Sequence, residues 1–296
     1  MTTTDRSGRI HLKACDRVGI VAGSDRLPID VAESLEKSGH SPFVVILKGE
    51  ADPRSALGSY DHEELELEDF AVLASVLKRH GVTHVVLAGG VGRRPKLGSL
   101  KPSLALLSLI PKAVTALVRG DDGILRAVAG VLEGHGMKLV GAHEVVPHLL
   151  ACEGPMTRLS PLKADWRDLD SALAAARAIG ALDIGQGAVS IGGRAIALEG
   201  IEGTDAMLDR VASLRTHGRI AGKTRGALVK CAKPGQELRL DLPTIGPATV
   251  EAAHAAGLAG IGVEAQKTLV LEYAAMVERA DALGLFVIGL NGSRTP

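Results

Sequence analysis

Three short, uniformly apolar segments alternate with helical stretches, and this alternation constrains the fold of the chain most strongly. The segments are residues 18–23 (VGIVAG), 43–47 (FVVIL) and 84–88 (HVVLA), and residues 27–38 and 64–80 between them have the spacing of amphipathic helices. Strands without a polar face are buried on both sides, which is typical of a parallel sheet covered by helices. The pattern therefore predicts an α/β domain that binds its ligand beyond the carboxyl ends of its strands.

Glycines and basic residues follow two of these strands. Gly23 closes the first, and the third runs into a loop that contains Gly89, Gly90, Arg93 and Arg94. Glycine lets backbone N–H groups approach a phosphate closely, and arginine neutralises its charge, so we expect a phosphate site here. A loop with a solvated basic pair is the structural alternative. Since neither loop has the GxGxxG pattern, dinucleotide binding is only weakly supported.

The chain changes character after this first domain, which we assign to residues 15–147. Residues 148–166 combine prolines and glycines with no clear period, which predicts a linker. A second domain, residues 167–296, opens with a helix and then a hairpin around Gly192-Gly193. Hairpins and helices mix in this part of the chain, so we expect a mixed α/β (α+β) domain rather than a second parallel sheet.

One stretch of the second domain, residues 228–246, concentrates polar groups between two apolar runs. They flank Pro234-Gly235 and are Lys230, Lys233, Gln236, Arg239, Asp241 and Thr244. Ammonium and guanidinium groups pair with phosphate oxygens, and a carboxylate holds Mg²⁺ or a water, so the stretch suits an anionic ligand with a metal ion. A strand–turn–strand whose polar face is merely solvated is the alternative that the residue types leave open.

A second polar segment precedes a predicted helix at residues 206–214. It contains Glu199, Glu202, Thr204 and Asp205. Thr204 or Asp205 is a natural helix N-cap, but capping explains one of the three carboxylates and not all of them. Because Mg²⁺ usually takes one or two carboxylates and completes its shell with water and phosphate, the segment is a candidate metal site.

The composition excludes several classes of function. The 34 basic and 34 acidic residues balance, and aromatic residues make up only 2% of the chain, so we expect no nucleic-acid partner. Three cysteines without a CxxC pair predict a reducing compartment. With no apolar leader and no spanning segment in the sequence, we expect a cytoplasmic protein.

Several ordered segments carry a resemblance to a known family. They include GGVGRRP, GDDGILR, VGAHE, DIGQG, EGIEGTDAML, LVKCAKPGQELRLDLPTIGPATVEAA and AGLAGIGVEA. Together they resemble the LpxI-type UDP-2,3-diacylglucosamine pyrophosphatases, and the similarity spans residues 18–289. One departure is Gly23-Ser24-Asp25, where the family pattern has a run of glycines.

The resemblance implies a Mg²⁺-dependent hydrolase of lipid A biosynthesis with a Rossmann-like first domain. It would convert UDP-2,3-diacylglucosamine to UMP and 2,3-diacylglucosamine 1-phosphate (lipid X), act as a homodimer and contact the inner-membrane surface transiently. Asp241 matches the functional aspartate of the family. The expected catalytic residues are Asp241, Lys233 and Gln236, the expected metal ligands Asp241, Asp205 and Glu202, and the expected substrate contacts Gly23, Gly89, Gly90, Arg93, Arg94, Arg239, Thr204 and Thr244.

Two other interpretations keep the fold and change the function. The chain could be a non-catalytic nucleotide-sugar-binding or regulatory module, since fold alone does not fix chemistry. A nicotinamide-dependent oxidoreductase is disfavoured, because the second strand does not end in the acidic residue that binds the ribose. Within the pyrophosphatase interpretation, residues 100–118 are a candidate apolar wall for acyl chains, with an ordinary core helix as the alternative.

Overall fold

The computed structural model describes residues 9–93, 120–220 and 222–291, and the chain divides into two compact units. The first unit runs to His148 and also includes Arg239–Asp241, and the second contains Leu149–Leu238 and the chain from Leu242 onward. Arg94 and the candidate apolar wall at residues 100–118 lie outside the described residues. No helix in the described ranges is long and apolar enough to cross a membrane.

The first unit is built on a five-stranded sheet in which every neighbouring pair is parallel, in the order β3-β2-β1-β4-β5. The strands are β1 (Val18–Ala22), β2 (Phe43–Leu47), β3 (Asp61–Leu65), β4 (His84–Ala88) and β5 (Lys138–Val140). The helices are α1 (Leu27–Lys37), α2 (Leu73–Arg79), α3 (Gly120–Gly134) and α4 (Ala142–Val145). Every residue of β1 and β2 is buried, which confirms the parallel α/β sheet that the apolar segments predicted.

The helix predicted over residues 64–80 is wrong in its first half. The chain forms β3 up to Leu65, a 3₁₀ helix over Leu67–Val72, and only then α2. β3 is the edge strand of the sheet, and an edge tolerates the charged side chains of its sequence DHEEL. A polar edge strand has no apolar run, so it lacked the signal by which the other strands were recognised.

The second unit has a six-stranded mixed sheet in the order β6-β13-β11-β9-β7-β8, with a separate parallel pair of β10 and β12. The strands are β6 (Gly154–Pro155), β7 (Gly187–Ser190), β8 (Ala195–Leu198), β9 (Ala227–Lys230), β10 (Thr244–Ile245), β11 (Gly260–Glu264), β12 (Leu269–Val270) and β13 (Phe286–Leu290). β9, β11 and β13 are parallel, while β6 and β7 run antiparallel to their neighbours. The expected mixed sheet and the β7–β8 hairpin are confirmed.

Helices cover both faces of this second sheet. They are α5 (Lys163–Ala181), α6 (Gly203–Thr216), α7 (Pro247–Ala255) and α8 (Tyr273–Leu283). Leu169 and Leu173 of α5 pack with Phe286 on one face. On the other face, α6, α7 and α8 contribute buried residues such as Met207 and Met276 to a second apolar cluster. The result is a three-layer unit in which the mixed sheet lies between two layers of helices.

Two connections differ from the sequence expectations. Most of the predicted linker, 148–166, belongs to the second unit, because Ala151 is fully buried and β6 pairs with β13. Residues 228–246 do not form a strand–turn–strand unit. β9 is an inner strand of the large sheet, whereas β10 pairs with β12, since strand partners are set by long-range pairing rather than by the local turn.

His84 predicts how the stability of the first unit depends on pH. It begins β4, is 4% exposed, and hydrogen-bonds through Nδ1 with Thr83 Oγ1 at 2.8 Å. Burial lowers the pKa of His84; the Asp16 carboxylate opposes this shift, and Lys138 adds to it. The unfolded chain, with a histidine pKa of about 6.5, therefore binds the proton more readily than the folded chain.

Protonation of His84 should therefore leave the free energy of unfolding unchanged above about pH 6.5. As the pH drops toward the folded-state pKa, the free energy of unfolding should fall by at most about 1.4 kcal/mol per pH unit. We expect His84→Gln to flatten this dependence relative to the parent. Urea unfolding of both proteins at pH 7.5 and 5.5 measures the difference. Parallel pH profiles for the two proteins would show that His84 does not carry the effect.

Candidate active site

The first polar region lies where β1 and β4 end side by side, the point at which the strand order reverses. Gly23 N donates to Ala88 O at 2.8 Å, and Ser24 N donates to Gly90 O at 2.8 Å. The loops after the two strands are thereby bound to each other. Open α/β sheets bind ligands at this reversal point, so Gly23, Gly89 and Gly90 lie where the sequence placed them.

The close approach of the two loops explains the glycines. A Cβ on Gly23 would overlap Gly90 O, and a Cβ on Gly89 would overlap Ser24 O. Gly89 also has a φ of +85°, which side chains disfavour. Gly90 is exposed, and a Cβ there would meet only side-chain atoms, the Ser24 hydroxyl at 3.0 Å and the Asp25 carboxylate at 3.7 Å. Two of the three glycines are therefore needed for packing, and Gly90 is the one open to a ligand.

Arg93 is tied to the loop that follows β2. Its Nη1 lies 3.0 Å from Glu68 Oε1, its Nε lies 3.6 Å from Glu50 Oε1, and its Nη2 donates to Lys48 O at 3.1 Å. These carboxylates already offset the guanidinium charge. A phosphate would have to displace them, so the first role that the structure gives Arg93 is to join two loops, and its substrate contact stays a prediction.

A second polar region lies at the carboxyl ends of the parallel strands in the second unit. Lys230 ends β9 and Glu264 ends β11, and both are more than nine-tenths buried. Gln186 precedes the antiparallel β7 and Glu199 follows β8, so both reach the same edge. We call these four residues the carboxyl-edge cluster. Buried charges are costly unless they are paired, and clusters of them often mark functional sites.

Lys230 and Glu264 hold the backbone around the end of β9. Lys230 Nζ donates to Thr244 O at 3.0 Å. Glu264 Oε2 accepts from Ala232 N at 3.2 Å, and its Oε1 lies 3.0 Å from Lys267 Nζ. Thr244, which the sequence assigned to substrate, therefore contributes its main-chain oxygen to the position of Lys230.

Glu199 and Gln186 form the other half of the cluster. Glu199 Oε1 accepts from Thr204 Oγ1 at 2.8 Å, and its Oε2 accepts from Gln186 N at 3.4 Å. Gln186 Oε1 is buried and has no hydrogen-bond partner within the described part of the chain. Buried acceptors are usually satisfied, so this oxygen indicates a place for a donor group or an ion.

Lys233 and Gln236 form a closed turn next to the carboxyl-edge cluster. Gln236 Oε1 accepts from Lys233 N at 2.9 Å, and Gln236 N donates to Lys233 O at 3.0 Å. Lys233 Nζ lies 2.6 Å from Asp183 Oδ1. Gln236 thus fixes the turn that carries Lys233, which agrees in kind with a positioning role and leaves the catalytic role a prediction.

Asp241 follows a segment that is anchored in the first unit. Leu240 is buried with Ala129 and Leu139, and Arg239 Nη1 lies 3.5 Å from Glu133 Oε1. Asp241 itself is half-buried. The residue next to Asp241 is therefore anchored by packing in an apolar cluster.

Comparison with known proteins identifies the family to which the chain belongs. The family model described as the LpxI N-terminal domain matches residues 17–149, and the one described as the LpxI C-terminal domain matches residues 152–288. The chain belongs to the LpxI family. A curated relative, UDP-2,3-diacylglucosamine pyrophosphatase LpxI of Caulobacter vibrioides, is 41% identical over 282 residues, which cover 95% of this chain and 99% of the relative.

The three carboxylates expected to bind metal in an LpxI protein do not form a ready-made metal site within the described residues. Glu202 lies 3.1 Å from Arg210, and Asp205 is exposed on α6. Among the residues that the structure describes, no three His, Cys, Asp or Glu side chains form a group that could hold an ion. Mg²⁺ needs only one or two carboxylates when substrate phosphate and water complete its shell, so Mg²⁺ and its ligand set stay predictions.

Cys231 is excluded as a nucleophile of this LpxI protein. It is buried directly after β9, and burial, followed by the nearby Glu264 carboxylate, raises its pKa to about 11. The thiolate is the reactive form, so at neutral pH this cysteine is inert and fills space in the core.

The expected set of LpxI site residues contained none of the four residues of the carboxyl-edge cluster. It also lacked Asp183, the partner of Lys233. The signal was present, since Lys230 and Glu264 each end an apolar strand (ALVK and GIGVE), as the glycine loops do in the first domain. A search for polar residues at every strand end would have found both.

Proposed function

We propose that this chain hydrolyses the diphosphate bond of UDP-2,3-diacylglucosamine and releases UMP and 2,3-diacylglucosamine 1-phosphate, a step of lipid A biosynthesis. The observation that carries the proposal is the similarity to the Caulobacter pyrophosphatase, which extends over nearly the whole of both chains. Two structural features also support the proposal. Glycine-lined loops lie at the carboxyl ends of strands in the first sheet, and buried charges lie at the carboxyl ends of strands in the second.

Each polar group has a role in this proposal. The Gly90 loop would take part of the nucleotide or diphosphate with its exposed backbone, and Lys233 and Arg239 would contact phosphate oxygens. Asp241 would hold the metal or orient the attacking water. Gln236 would keep Lys233 in place through the 2.9 Å bond to its backbone N–H.

We propose that the reaction uses Mg²⁺, because the chain offers oxygen donors of the type that this ion prefers. The carboxylates of Asp241, Glu202 and Asp205 are hard ligands, and the unsatisfied Gln186 Oε1 is a further oxygen of the right type. When bound, the ion would offset phosphate charge and lower the pKa of a coordinated water.

The proposed substrate carries two acyl chains, and this property indicates where the enzyme would meet it. Such a lipid is held in a membrane by its acyl chains, so we propose that the enzyme makes a transient contact with the cytoplasmic face of the inner membrane. The homodimer that the resemblance implies stays a prediction, which light scattering would test.

The test is UMP release from UDP-2,3-diacylglucosamine, measured with Mg²⁺ and again with excess EDTA. We expect turnover with Mg²⁺ and its loss on chelation, with recovery when Mg²⁺ is restored. A folded protein that releases no UMP at any metal concentration would reject the hydrolase. Tight binding of the intact nucleotide sugar would then favour the non-catalytic module.

A further inference from the structure

Four large apolar side chains stand in solvent on two loops of the second unit. Leu182 (71% exposed) and Ile184 (51%) follow α5, while Leu198 (43%) ends β8 and Ile201 (86%) lies in the turn before α6. We call them the apolar loop patch. One exposed leucine is ordinary, but several on adjoining loops mark an interaction surface.

The two loops are neighbours in space. Gln186 N donates to Glu199 Oε2 at 3.4 Å, and Glu199 N donates to Gly187 O at 2.9 Å. In the β7–β8 ladder, Ala188 lies opposite Leu198. β8 is an edge strand of the sheet, so within the described residues no further strand pairs with it on this side.

The patch borders the carboxyl-edge cluster. Gln186 and Glu199 belong to that cluster, and they are also the residues that join the two loops. Asp183, between Leu182 and Ile184 in the chain, forms the ion pair with Lys233. A surface that touched the patch would therefore lie next to the polar groups assigned to the substrate.

The size of the patch and the charges beside it favour a lipid bilayer over a protein as its binding partner. A stable protein interface takes about 20–30 residues from each partner, far more than four side chains. The charges beside the patch are paired, Asp183 with Lys233 at 2.6 Å and Glu202 with Arg210 at 3.1 Å. A small apolar surface bordered by these two ion pairs suits the boundary between lipid headgroups and acyl chains, where burial rather than charge drives binding.

We propose that the apolar loop patch inserts into the lipid bilayer surface and brings the carboxyl-edge cluster to the headgroup of a membrane-borne substrate. This inference rests on the proposed function for the identity of the substrate. The insertion itself needs only a bilayer, so binding and turnover can be tested separately.

The binding experiment uses vesicles of phosphatidylethanolamine and phosphatidylglycerol. Ile201→Glu and Leu182→Glu each place a charge in the patch, and we expect each to weaken flotation with vesicles by about tenfold or more. The matched control is Leu162→Glu, because Leu162 is 59% exposed and caps the N-terminus of α5 as Leu182 caps its C-terminus. The two positions flank this 19-residue helix, which separates them by about 30 Å. The control should bind as the parent does.

The turnover experiment compares substrate in vesicles with substrate in detergent micelles. The patch variants should lose about tenfold in UMP release from vesicles and retain the parental rate in micelles. Unchanged flotation of the patch variants, or an equal loss in the Leu162 control, would overturn the inference. An equal loss in vesicles and micelles would assign the patch to the acyl chains inside the site, and a changed oligomeric mass would assign it to a second copy.

The two proposals fail in different ways. A parent that releases no UMP from either preparation rejects the proposed function, while flotation still decides whether the patch meets a bilayer. A parent active in micelles with patch-independent flotation keeps the proposed function and rejects the insertion.

Discussion

Replacing Asp241 with alanine should lower the rate of UMP release by about 10²–10³-fold while the protein stays folded. The carboxylate is half-buried, and the backbone beside it is anchored by Leu240 in an apolar cluster with Ala129 and Leu139. Removing the side chain therefore leaves the anchor in place and takes away the charge that would hold Mg²⁺ or orient water. Asp241→Asn, which keeps the shape and loses the charge, should show a similar loss.

The measurement is kcat at saturating substrate, with circular dichroism and Tm to confirm the fold. Glu133→Ala is the control, since it removes an exposed carboxylate 3.5 Å from Arg239 Nη1 on the same part of the first unit. We expect the control to keep its rate within about threefold, as for most surface changes. A folded Asp241→Ala protein with near-parental kcat would remove this residue from the catalytic group.

Gly89→Ala should be the most destabilising of the single-methyl changes in the glycine loops, costing about 3 kcal/mol or more of unfolding free energy. The new Cβ would overlap the Ser24 carbonyl oxygen, and the φ of +85° at this position is unfavourable for alanine. Both effects act on the crossing of the loops after β1 and β4, and neither depends on a ligand. Urea unfolding of the unliganded protein measures the loss.

Gly90→Ala separates packing from binding at the same loop. Its Cβ would meet side-chain atoms and no backbone, the Ser24 hydroxyl at 3.0 Å and the Asp25 carboxylate at 3.7 Å, so stability should stay within about 1 kcal/mol of the parent. If the exposed backbone of Gly90 approaches substrate phosphate, KM should rise while the unfolding curve does not move. Equal destabilisation by both substitutions would contradict the distinct roles of the two glycines.

The first sheet could be predicted because its inner strands are apolar on both faces, a property visible in five consecutive residues. β3 could not, since an edge strand made of charged residues is defined by its pairing with β2. The same limit applies to residues 228–246: the local turn was visible, but the pairing of β10 with β12 depends on a segment about 25 residues further along the chain.

The candidate site was predictable where a residue type alone implies its chemistry. The glycines do follow the carboxyl ends of β1 and β4, while their contacts with substrate stay predictions. The close packing of the two loops that requires Gly23 and Gly89 is visible only in the three-dimensional structure. Arg93 was predicted to contact phosphate because the sequence does not show its carboxylate partners. The three glutamates around it come from distant positions in the chain and meet it only in the folded structure. Lys230 and Glu264 were omitted because a charged residue is exposed by default, and their burial follows from the tertiary fold.

The position of Leu240 has a consequence for how this chain can be divided. The two family models meet at residues 149–152, which suggests a single cut between two modules. The compact units do not separate there, because Arg239–Asp241 belong to the first unit while the flanking residues belong to the second. A fragment ending at His148 would lack the leucine that completes its Ala129–Leu139 cluster, and the complementary fragment would carry that leucine without its cluster. Gene fusions, split-protein reporters and domain exchanges between relatives would therefore need to transfer the 239–241 segment together with the first unit.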